Sequence, residues 1–187
     1  MPTTDLLRGP RLRLTPLTSD DLPEVAGWYS DSEFARMYDA RPAAPRTVAG
    51  LHSWLDGYAS TTDGFVFAIR PHASDLLLGF SEIESVLWPH RTAWLTLAIG
   101  AAGQRGQGYG REALGLVLRF AFHELNLHRL QLSVFSYNQA AIRLYERLGF
   151  VREGAYREYI ERDGQRYDMY LYGLLRREWE LPATAAR

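Results

Sequence analysis

The stretch "WLTLAIGAAGQRGQGYGREALGLVLRFAFHEL" (Trp94–Leu125) places a glycine-rich turn between two ordered segments. It opens with an apolar run typical of a strand and ends with apolar residues at helical spacing. Between them, four glycines occur in eight residues: Gly103, Gly106, Gly108 and Gly110. Because glycine weakens regular structure, such clustering indicates that the backbone needs unusual angles or the close approach of a ligand.

A strand that leads through a glycine turn into a helix is typical of a phosphate site. The first N–H groups of the helix lack partners and lie at the positive end of the helix dipole. The alternative is a flexible turn without a ligand. A dinucleotide is disfavoured, because a fingerprint starting at Gly106-x-Gly108 would need glycine at position 111, where Arg111 stands.

Composition limits the class of protein. The chain has 187 residues, 47% of them hydrophobic, which predicts one domain over residues 1–187 with a core from about 10 to 180 and a flexible tail at 181–187. A net charge of −1 argues against nucleic-acid binding. No apolar run reaches membrane-spanning length, and "MPTTDLLRGPRLRL" lacks the apolar core of a secretory signal, so we expect a cytoplasmic protein.

Two residue types are missing, and their absence excludes several chemistries. The sequence contains no cysteine, which excludes disulfides, thiolate metal sites and cysteine nucleophiles. It also contains no lysine, which excludes a Schiff-base enzyme and a P-loop. His123 and His128 are five residues apart, not at helical ligand spacing, so no metal site is predicted.

The periodicity predicts a mixed α/β domain. A first helix starts at Thr18 or Ser19, and Gly149 ends the last one. Asp163-Gly164 is a hairpin turn between two alternating runs. The other predicted helices cover Arg46–Ala59, Tyr109–Leu125 and Asn138–Phe150, and the other predicted strands cover Arg11–Leu17, Phe65–Arg70, Leu76–Trp88, Thr92–Ile99 and Arg129–Ser136.

Two motifs carry a resemblance to a known family. "RGQGYG" (Arg105–Gly110) fits the R/Q-x-x-G-x-G/A loop of the GNAT superfamily of N-acetyltransferases. "NQAAIRLYERLGFVREG" (Asn138–Gly154) is similar to that family's N-x-x-A-x-x-L-Y-x-x-x-G-F segment, at the expected distance. The chain most resembles the RimJ/RimL-type branch, which acetylates the N-termini of ribosomal proteins, with polyamine acetyltransferases as near relatives.

The resemblance implies a fold, a cosubstrate and site residues. The fold is a central, mostly antiparallel mixed sheet of about seven strands flanked by helices, and a homodimer is possible by family resemblance. Acetyl-CoA would lay its pantetheine arm along the main chain of Leu97, Ala98 and Ile99, while Asn138 would hydrogen-bond the cosubstrate. Its pyrophosphate would lie on the loop and helix start: Arg105, Gly106, Gln107, Gly108, Tyr109, Gly110 and Arg111.

Acetyl transfer must proceed with the residues available. Without cysteine or a G-x-S-x-G elbow, direct attack of an amine on the thioester in a ternary complex is the simplest mechanism. The resemblance places the hydroxyl of Tyr145 near the thioester sulfur, as the general acid. The alternative is that Tyr145 only packs on the inner face of its helix.

The general base is less clear from the sequence. Family members often carry a glutamate on the strand before the glycine loop, but here Leu95 or Thr96 occupies that place. Glu82 and Glu84 are the tentative substitutes, acting directly or through water, since residues two apart share one face of a strand. The alternative is an exposed polar strand face.

Three hypotheses for function follow. The first is acetylation of a peptide or protein α-amine, which makes small demands on a base. The second is acetylation of a polyamine or aminoglycoside; the "SDSE" segment (Ser30–Glu33) is the obvious carboxylate cluster for such an acceptor. The third is a non-catalytic module that binds CoA.

Overall fold

A computed structural model describes residues 5–180 and shows one seven-stranded sheet, in the order β1-β2-β3-β4-β5-β7-β6. All neighbouring strands are antiparallel except β4 and β5, which run parallel. The predicted mixed, mostly antiparallel sheet is therefore confirmed. The strands are β1 (Leu12–Pro16), β2 (Phe65–Pro71), β3 (Gly79–Leu87), β4 (Thr92–Ile99), β5 (Arg129–Phe135), β6 (Val151–Arg162) and β7 (Gln165–Leu175).

Within residues 5–180, six α-helices flank the sheet, and local signals explain where several of them begin and end. The Thr47 hydroxyl accepts a hydrogen bond from the Gly50 N–H, so α3 begins after the residue that caps it. Gly149 has a φ of +92° and ends α5 as predicted. The helices are α1 (Leu22–Trp28), α2 (Ser32–Tyr38), α3 (Val48–Ala59), α4 (Tyr109–Arg119), α5 (Gln139–Arg147) and α6 (Arg176–Glu180).

The strand residues alternate between two hydrophobic cores, one on each face of the sheet. Ile83 and Leu95 face each other across β3 and β4 and pack in the core that contains α4 and α5. Phe80 and Ala98 form the next pair on the opposite face and pack against α1, α2 and α3. This alternation places even-numbered residues of β3 under the first three helices.

The structure corrects several predicted boundaries. The predicted strand Leu76–Trp88 begins only at Gly79, and its regular pairing with β4 is interrupted near Ser85, which has a φ of +53°. The helix that starts at Tyr109 was correctly predicted, but it changes to a π-helical turn over Phe120–Glu124. Helix α2 was not predicted from the sequence, and the 181–187 tail lies outside the described residues.

Candidate active site

The glycine loop joins β4 to α4, and two of its four glycines have backbone angles that favour glycine. Gly106 has a φ of +76° and Gly108, the residue that precedes α4, has a φ of +82°. Gly103 has no such angle, and a side chain there would meet no atom within 4 Å. The loop conformation therefore depends on Gly106 and Gly108.

The main-chain N–H groups at the start of α4 are free to bind an anion. The first helical hydrogen bond runs from the Glu112 N–H to the Gly108 carbonyl, at 3.2 Å. Among residues 5–180, no acceptor is found for the N–H groups from Gly106 to Arg111. Gly106, Gln107 and Gly108 are exposed. These donors, together with the helix dipole, are suited to a phosphate.

Side chains of the loop, together with Arg11, stabilise the loop by donating hydrogen bonds to main-chain carbonyls and do not cover the free N–H groups. Arg105 donates to the main-chain carbonyls of Gly100, at 2.8 Å, and Ile99, at 3.3 Å. Gln107 donates to the Gly103 carbonyl at 2.7 Å. Arg11 donates to the Gln107 carbonyl at 3.2 Å and forms an ion pair with Glu112 of α4. Arg111 is exposed.

Strands β4 and β5 separate to form a wedge next to the loop. They pair only from Thr92 to Trp94 on β4, and within the described residues the rest of β4 pairs with β3 alone. The free edge of Leu97–Ile99 is thus open to an extended ligand, as the pantetheine prediction requires. The wedge holds a cavity of about 140 Å³, which we call the inner cavity.

Elements from both sides of the sheet line the inner cavity. Its walls come from β4 (Trp94–Leu97) and β5 (Ser133–Phe135), together with residues of α2, β3, α5 and β7: Met37, Tyr38, Glu84, Tyr145 and Met169. The predicted Tyr145 and Glu84 therefore meet at one cavity, although they are 61 positions apart in the sequence. Met37, Tyr38, Trp94 and Met169 were not identified from the sequence.

Tyr145 lies on the inner face of α5, with its side chain buried in the core that contains α4 and α5. It packs against Phe150 and Tyr172, so the packing alternative describes its ring correctly. Within the described residues its hydroxyl forms no hydrogen bond, and Tyr145 is one of the residues that line the inner cavity. Burial raises the pKa of this phenol to about 12, so it is protonated at neutral pH.

The two candidate bases on β3 occupy different environments. Glu84 lines the inner cavity and is half-buried. Glu82 is only 4% exposed, does not line that cavity, and accepts a 2.7 Å hydrogen bond from each of the Tyr38 and Tyr58 hydroxyls. The alternative of an exposed polar face is wrong for Glu82, because α2 and α3 cover it.

Burial also changes the acidity of both carboxyls. It raises the pKa of Glu82, although the hydrogen bonds from Tyr58 and Tyr38 oppose the shift. It raises the pKa of Glu84 as well, opposed by a hydrogen bond from Thr96. Thr96, one of the two β4 positions (with Leu95) where a glutamate is expected from the family resemblance, pairs directly with Glu82 across β3 and β4. The carboxylate that β4 lacks at this place is thus present at the paired position of β3, as Glu82.

Asn138, predicted to hydrogen-bond the cosubstrate, caps α5. Its side-chain oxygen accepts from the Ala141 N–H at 3.1 Å, and its amide nitrogen donates to the Met37 carbonyl at 3.4 Å. The asparagine therefore links α5 to α2. The N-cap of α5 thus gives a structural reason for an asparagine at the first position of the Asn138–Gly154 motif.

A second, outer cavity of about 330 Å³ adjoins the inner one at Met37. Its other lining residues come from α2, the Tyr137 turn and the β6–β7 hairpin: Ser32, Glu33, Arg36, Tyr137, Arg162, Asp163 and Tyr167. Two residues of the "SDSE" segment therefore line it. Arg36 pairs with Asp163 through two hydrogen bonds, at 2.7 and 3.0 Å, and so connects α2 to the hairpin turn.

Several other aromatic and basic residues lie away from the two cavities. Trp28 and Tyr29 are buried in the core under α1 to α3, whereas Trp88 is 43% exposed. Arg166 forms an exposed ion pair with Glu161. Residues 5–180 contain no group of three or more His, Asp or Glu side chains placed to hold a metal ion. No helix in that range is long and apolar enough to cross a membrane.

The comparison with known families agrees with this geometry. Residues 11–151 match the acetyltransferase (GNAT) domain. The chain belongs to the GNAT acetyltransferase family, and it is an acetyl-CoA-dependent N-acetyltransferase.

Two similar proteins come from Bacillus subtilis. The chain is 32% identical to the SPbeta prophage-derived uncharacterized N-acetyltransferase YokL of Bacillus subtilis (strain 168), over 81% of this chain and 83% of that protein. It is 35% identical to the putative ribosomal N-acetyltransferase YdaF of the same organism, over 40% of this chain and 41% of that one.

The fold also matches a crystal structure of spermidine N-acetyltransferase from Vibrio cholerae in complex with CoA and spermine. The TM-score is 0.83 at 24% sequence identity, over 91% of this chain and 99% of that chain. The predicted fold is therefore confirmed.

Proposed function

We propose that the enzyme acetylates the α-amine at the N-terminus of a peptide or protein, by direct attack of that amine on acetyl-CoA in a ternary complex. One observation carries the proposal: the inner cavity offers a single carboxylate, and the outer cavity carries no surplus of negative charge. Among residues 5–180, Glu84 is the only acidic residue that lines the inner cavity.

The outer cavity is balanced in charge. Its acidic residues Glu33 and Asp163 are matched by Arg36 and Arg162, and Arg36 is already paired with Asp163. A polyamine, which carries several positive charges, gains little attraction from such a surface. A peptide carries one charge at its reacting amine and continues as neutral amides, and it therefore suits this arrangement better.

The demand on the base supports the same acceptor. At pH 7 roughly a tenth of an α-amine with a pKa near 8 is neutral, whereas an alkyl amine near 10.4 is neutral in only about one part in 2,500. Burial raises the pKa of Glu84 and so makes it a better proton acceptor than an exposed carboxylate. We assign Glu84, directly or through water, to receive the amine proton.

Two regions of the chain position acetyl-CoA in this proposal. The pyrophosphate lies on the N–H groups at the Gly106–Arg111 end of the loop, and the pantetheine arm pairs with the free edge of Leu97–Ile99. The thioester then enters the wedge where Tyr145 and Glu84 meet. Asn138 contributes by holding α5, and with it Tyr145, against α2.

Tyr145 acts on the departing sulfur. The amine attacks the thioester carbonyl, the carbon–sulfur bond breaks and the amine proton passes to Glu84. A phenol with a pKa of about 12 is a weaker acid than a thiol near 8.5. The Tyr145 hydroxyl therefore assists chiefly by donating a hydrogen bond as negative charge develops on sulfur.

A polyamine acceptor is the second candidate. The likeness to the spermidine N-acetyltransferase structure extends over 91% of this chain and favours it. The charge balance of the outer cavity favours a peptide. The two candidates differ in the amine that reacts, so they can be separated with purified enzyme.

Acceptor competition tests the proposal. The enzyme is mixed with acetyl-CoA and equal concentrations of short N-terminal peptides, spermidine and an aminoglycoside, and products are identified by mass spectrometry while free thiol is followed. A matched peptide with a blocked α-amine and a free lysine is the control. We expect acetylation of the free α-amine only. A larger kcat/KM for spermidine than for every peptide would overturn the proposed acceptor.

A base variant tests the chemistry. Glu84→Gln should lower kcat about 100-fold with peptide acceptors while leaving the KM for acetyl-CoA within twofold. Glu124→Gln, an exposed residue of the π-helical turn, is the control. An unchanged kcat would remove Glu84 from the mechanism. A cytoplasmic location and a homodimer also stay predictions, the latter tested by light scattering during gel filtration.

A further inference from the structure

Glu82 is a buried carboxylate held by two helices. One carboxylate oxygen accepts from the Tyr38 hydroxyl of α2 and the other from the Tyr58 hydroxyl of α3, both at 2.7 Å. Glu82 makes no ion pair within the described residues and is only 4% exposed. Its two hydrogen bonds therefore supply most of what compensates for burying the carboxylate.

The hydroxyls of Tyr38 and Tyr58 both stay protonated and donate hydrogen bonds to Glu82. Burial and the neighbouring Glu82 charge raise the pKa of Tyr38 and of Tyr58 far above the ordinary value for tyrosine. An ionised carboxylate only accepts hydrogen bonds, so the donor and acceptor roles are unambiguous. We call this arrangement the Tyr38–Glu82–Tyr58 clamp.

The two ends of the clamp differ in one respect. Tyr38 lines the inner cavity beside Glu84 and Tyr145, whereas Tyr58 does not. The Tyr38 ring also stacks on Phe34 and packs edge-on against Phe80, so removing its hydroxyl leaves the ring supported. Through its hydrogen bond with Tyr38, Glu82 thus supports one wall of the inner cavity without lining the cavity itself.

The opposite side of α2 is held as well. Arg162 donates to the Asp39 carbonyl at 3.0 Å, just after α2 ends, and Asn138 donates to the Met37 carbonyl. Arg36 pairs with Asp163 of the hairpin. With these attachments on one side, the clamp determines how far Tyr38 extends into the cavity.

We propose that Glu82 is a positioning residue rather than the general base: through Tyr38 it sets the wall of the inner cavity that the acceptor amine contacts. The inference rests on the proposed function only in taking the inner cavity as the site of amine attack. It does not depend on whether the acceptor is a peptide or a polyamine.

Four variants test the clamp with whichever acceptor the wild-type enzyme acetylates. Tyr38→Phe and Tyr58→Phe each remove one hydroxyl from the same carboxylate, so both should lower the melting temperature by similar amounts. Tyr38→Phe should raise the acceptor KM about tenfold, and Tyr58→Phe less than threefold. The KM for acetyl-CoA should change less than twofold in both.

Two substitutions at position 82 separate positioning from proton transfer. A glutamine can accept from one tyrosine and donate to the oxygen of the other, so Glu82→Gln should retain kcat within threefold and an acceptor KM near the wild-type value. Glu82→Leu loses both bonds and should raise the acceptor KM at least tenfold.

Two outcomes would overturn the proposal. Equal effects of Tyr38→Phe and Tyr58→Phe on the acceptor KM would show that the clamp contributes to stability alone. A 100-fold fall of kcat in Glu82→Gln, with loss of the acidic limb of the pH profile, would make Glu82 the base. Acetylation of spermidine instead of peptides would contradict the proposed acceptor but leave this comparison intact.

Discussion

Alanine at Gly108 tests the role of the loop conformation most directly. The residue has a φ of +82°, and a Cβ atom there would lie 3.3 Å from an Arg11 nitrogen at the end of a flexible side chain. The steric contact is therefore small and the backbone angle dominates. A residue other than glycine in the left-handed region costs about 1–2 kcal/mol.

This free energy must appear in one of two measurements. If the loop keeps its conformation without ligand, Gly108→Ala lowers the free energy of unfolding, and the melting temperature falls by about 2–8 °C. If the loop relaxes in the free enzyme, the cost appears on binding, and the Kd for acetyl-CoA rises roughly 5- to 30-fold. Thermal denaturation and calorimetric titration with acetyl-CoA measure the two terms separately.

The neighbouring glycines provide matched controls. Gly106→Ala should behave like Gly108→Ala, because Gly106 has a φ of +76° and open space around it. Gly103→Ala should change neither quantity, since that position has an ordinary φ and no atom within 4 Å of an added Cβ. The reasoning is refuted if Gly103→Ala is as damaging as Gly108→Ala, or if Gly108→Ala leaves both measurements unchanged.

Three further outcomes are expected. Tyr145→Phe should lower kcat about 100-fold with little change in the KM for acetyl-CoA, because Tyr145 lines the inner cavity and the substitution removes its hydroxyl while keeping the ring that packs in the core. Since burial raises the pKa of Glu82 above its value in the unfolded chain, the wild-type protein loses stability as pH rises from the ordinary glutamate range through that raised pKa, and the melting temperature of Glu82→Gln relative to wild type should rise over that interval. Gly79→Ala should destabilise by roughly 3 kcal/mol, because its Cβ would lie 2.0 Å from a carbonyl oxygen of β4.

Each of these three outcomes has a control variant or a result that would contradict it. Equal losses of kcat and acetyl-CoA affinity in Tyr145→Phe would mean that the residue only packs. A melting-temperature difference between Glu82→Gln and wild type that does not change with pH would contradict the burial argument. Gly57→Ala, in α3 with no atom within 4 Å, should stabilise by about 1 kcal/mol. A stable Gly79→Ala would show that β3 and β4 can separate.

Local signals account for the elements that the sequence predicted well. Strand β4 has its predicted bounds, and α4 starts at the predicted Tyr109, since a glycine precedes it and apolar residues follow at helical spacing. The Asp163-Gly164 turn has a positive φ at both residues, as an Asp-Gly hairpin pair predicts. These features depend on residues close together in the chain.

The acceptor side could not be predicted in the same way. Tyr38 and Tyr58 lie on helices whose aromatic residues are indistinguishable, in sequence, from ordinary core residues. Their meeting at Glu82 depends on how α2 and α3 pack over β3, and residues 24 and 44 positions away supply the hydrogen bonds. No local pattern records such contacts.

The amino-acid sequence by itself determined the family and the loop that offers backbone N–H groups, because both follow from short-range spacing, and it predicted Tyr145 as a site residue. Only the tertiary structure distinguished the environments of the two glutamates of β3. Because side chains alternate along a strand, both glutamates lie on the same face of the sheet. Helices α2 and α3 enclose Glu82, however, and leave Glu84 at the wedge between β4 and β5. The physical reason is that burial depends on which elements pack over a residue, and that is set by the whole chain.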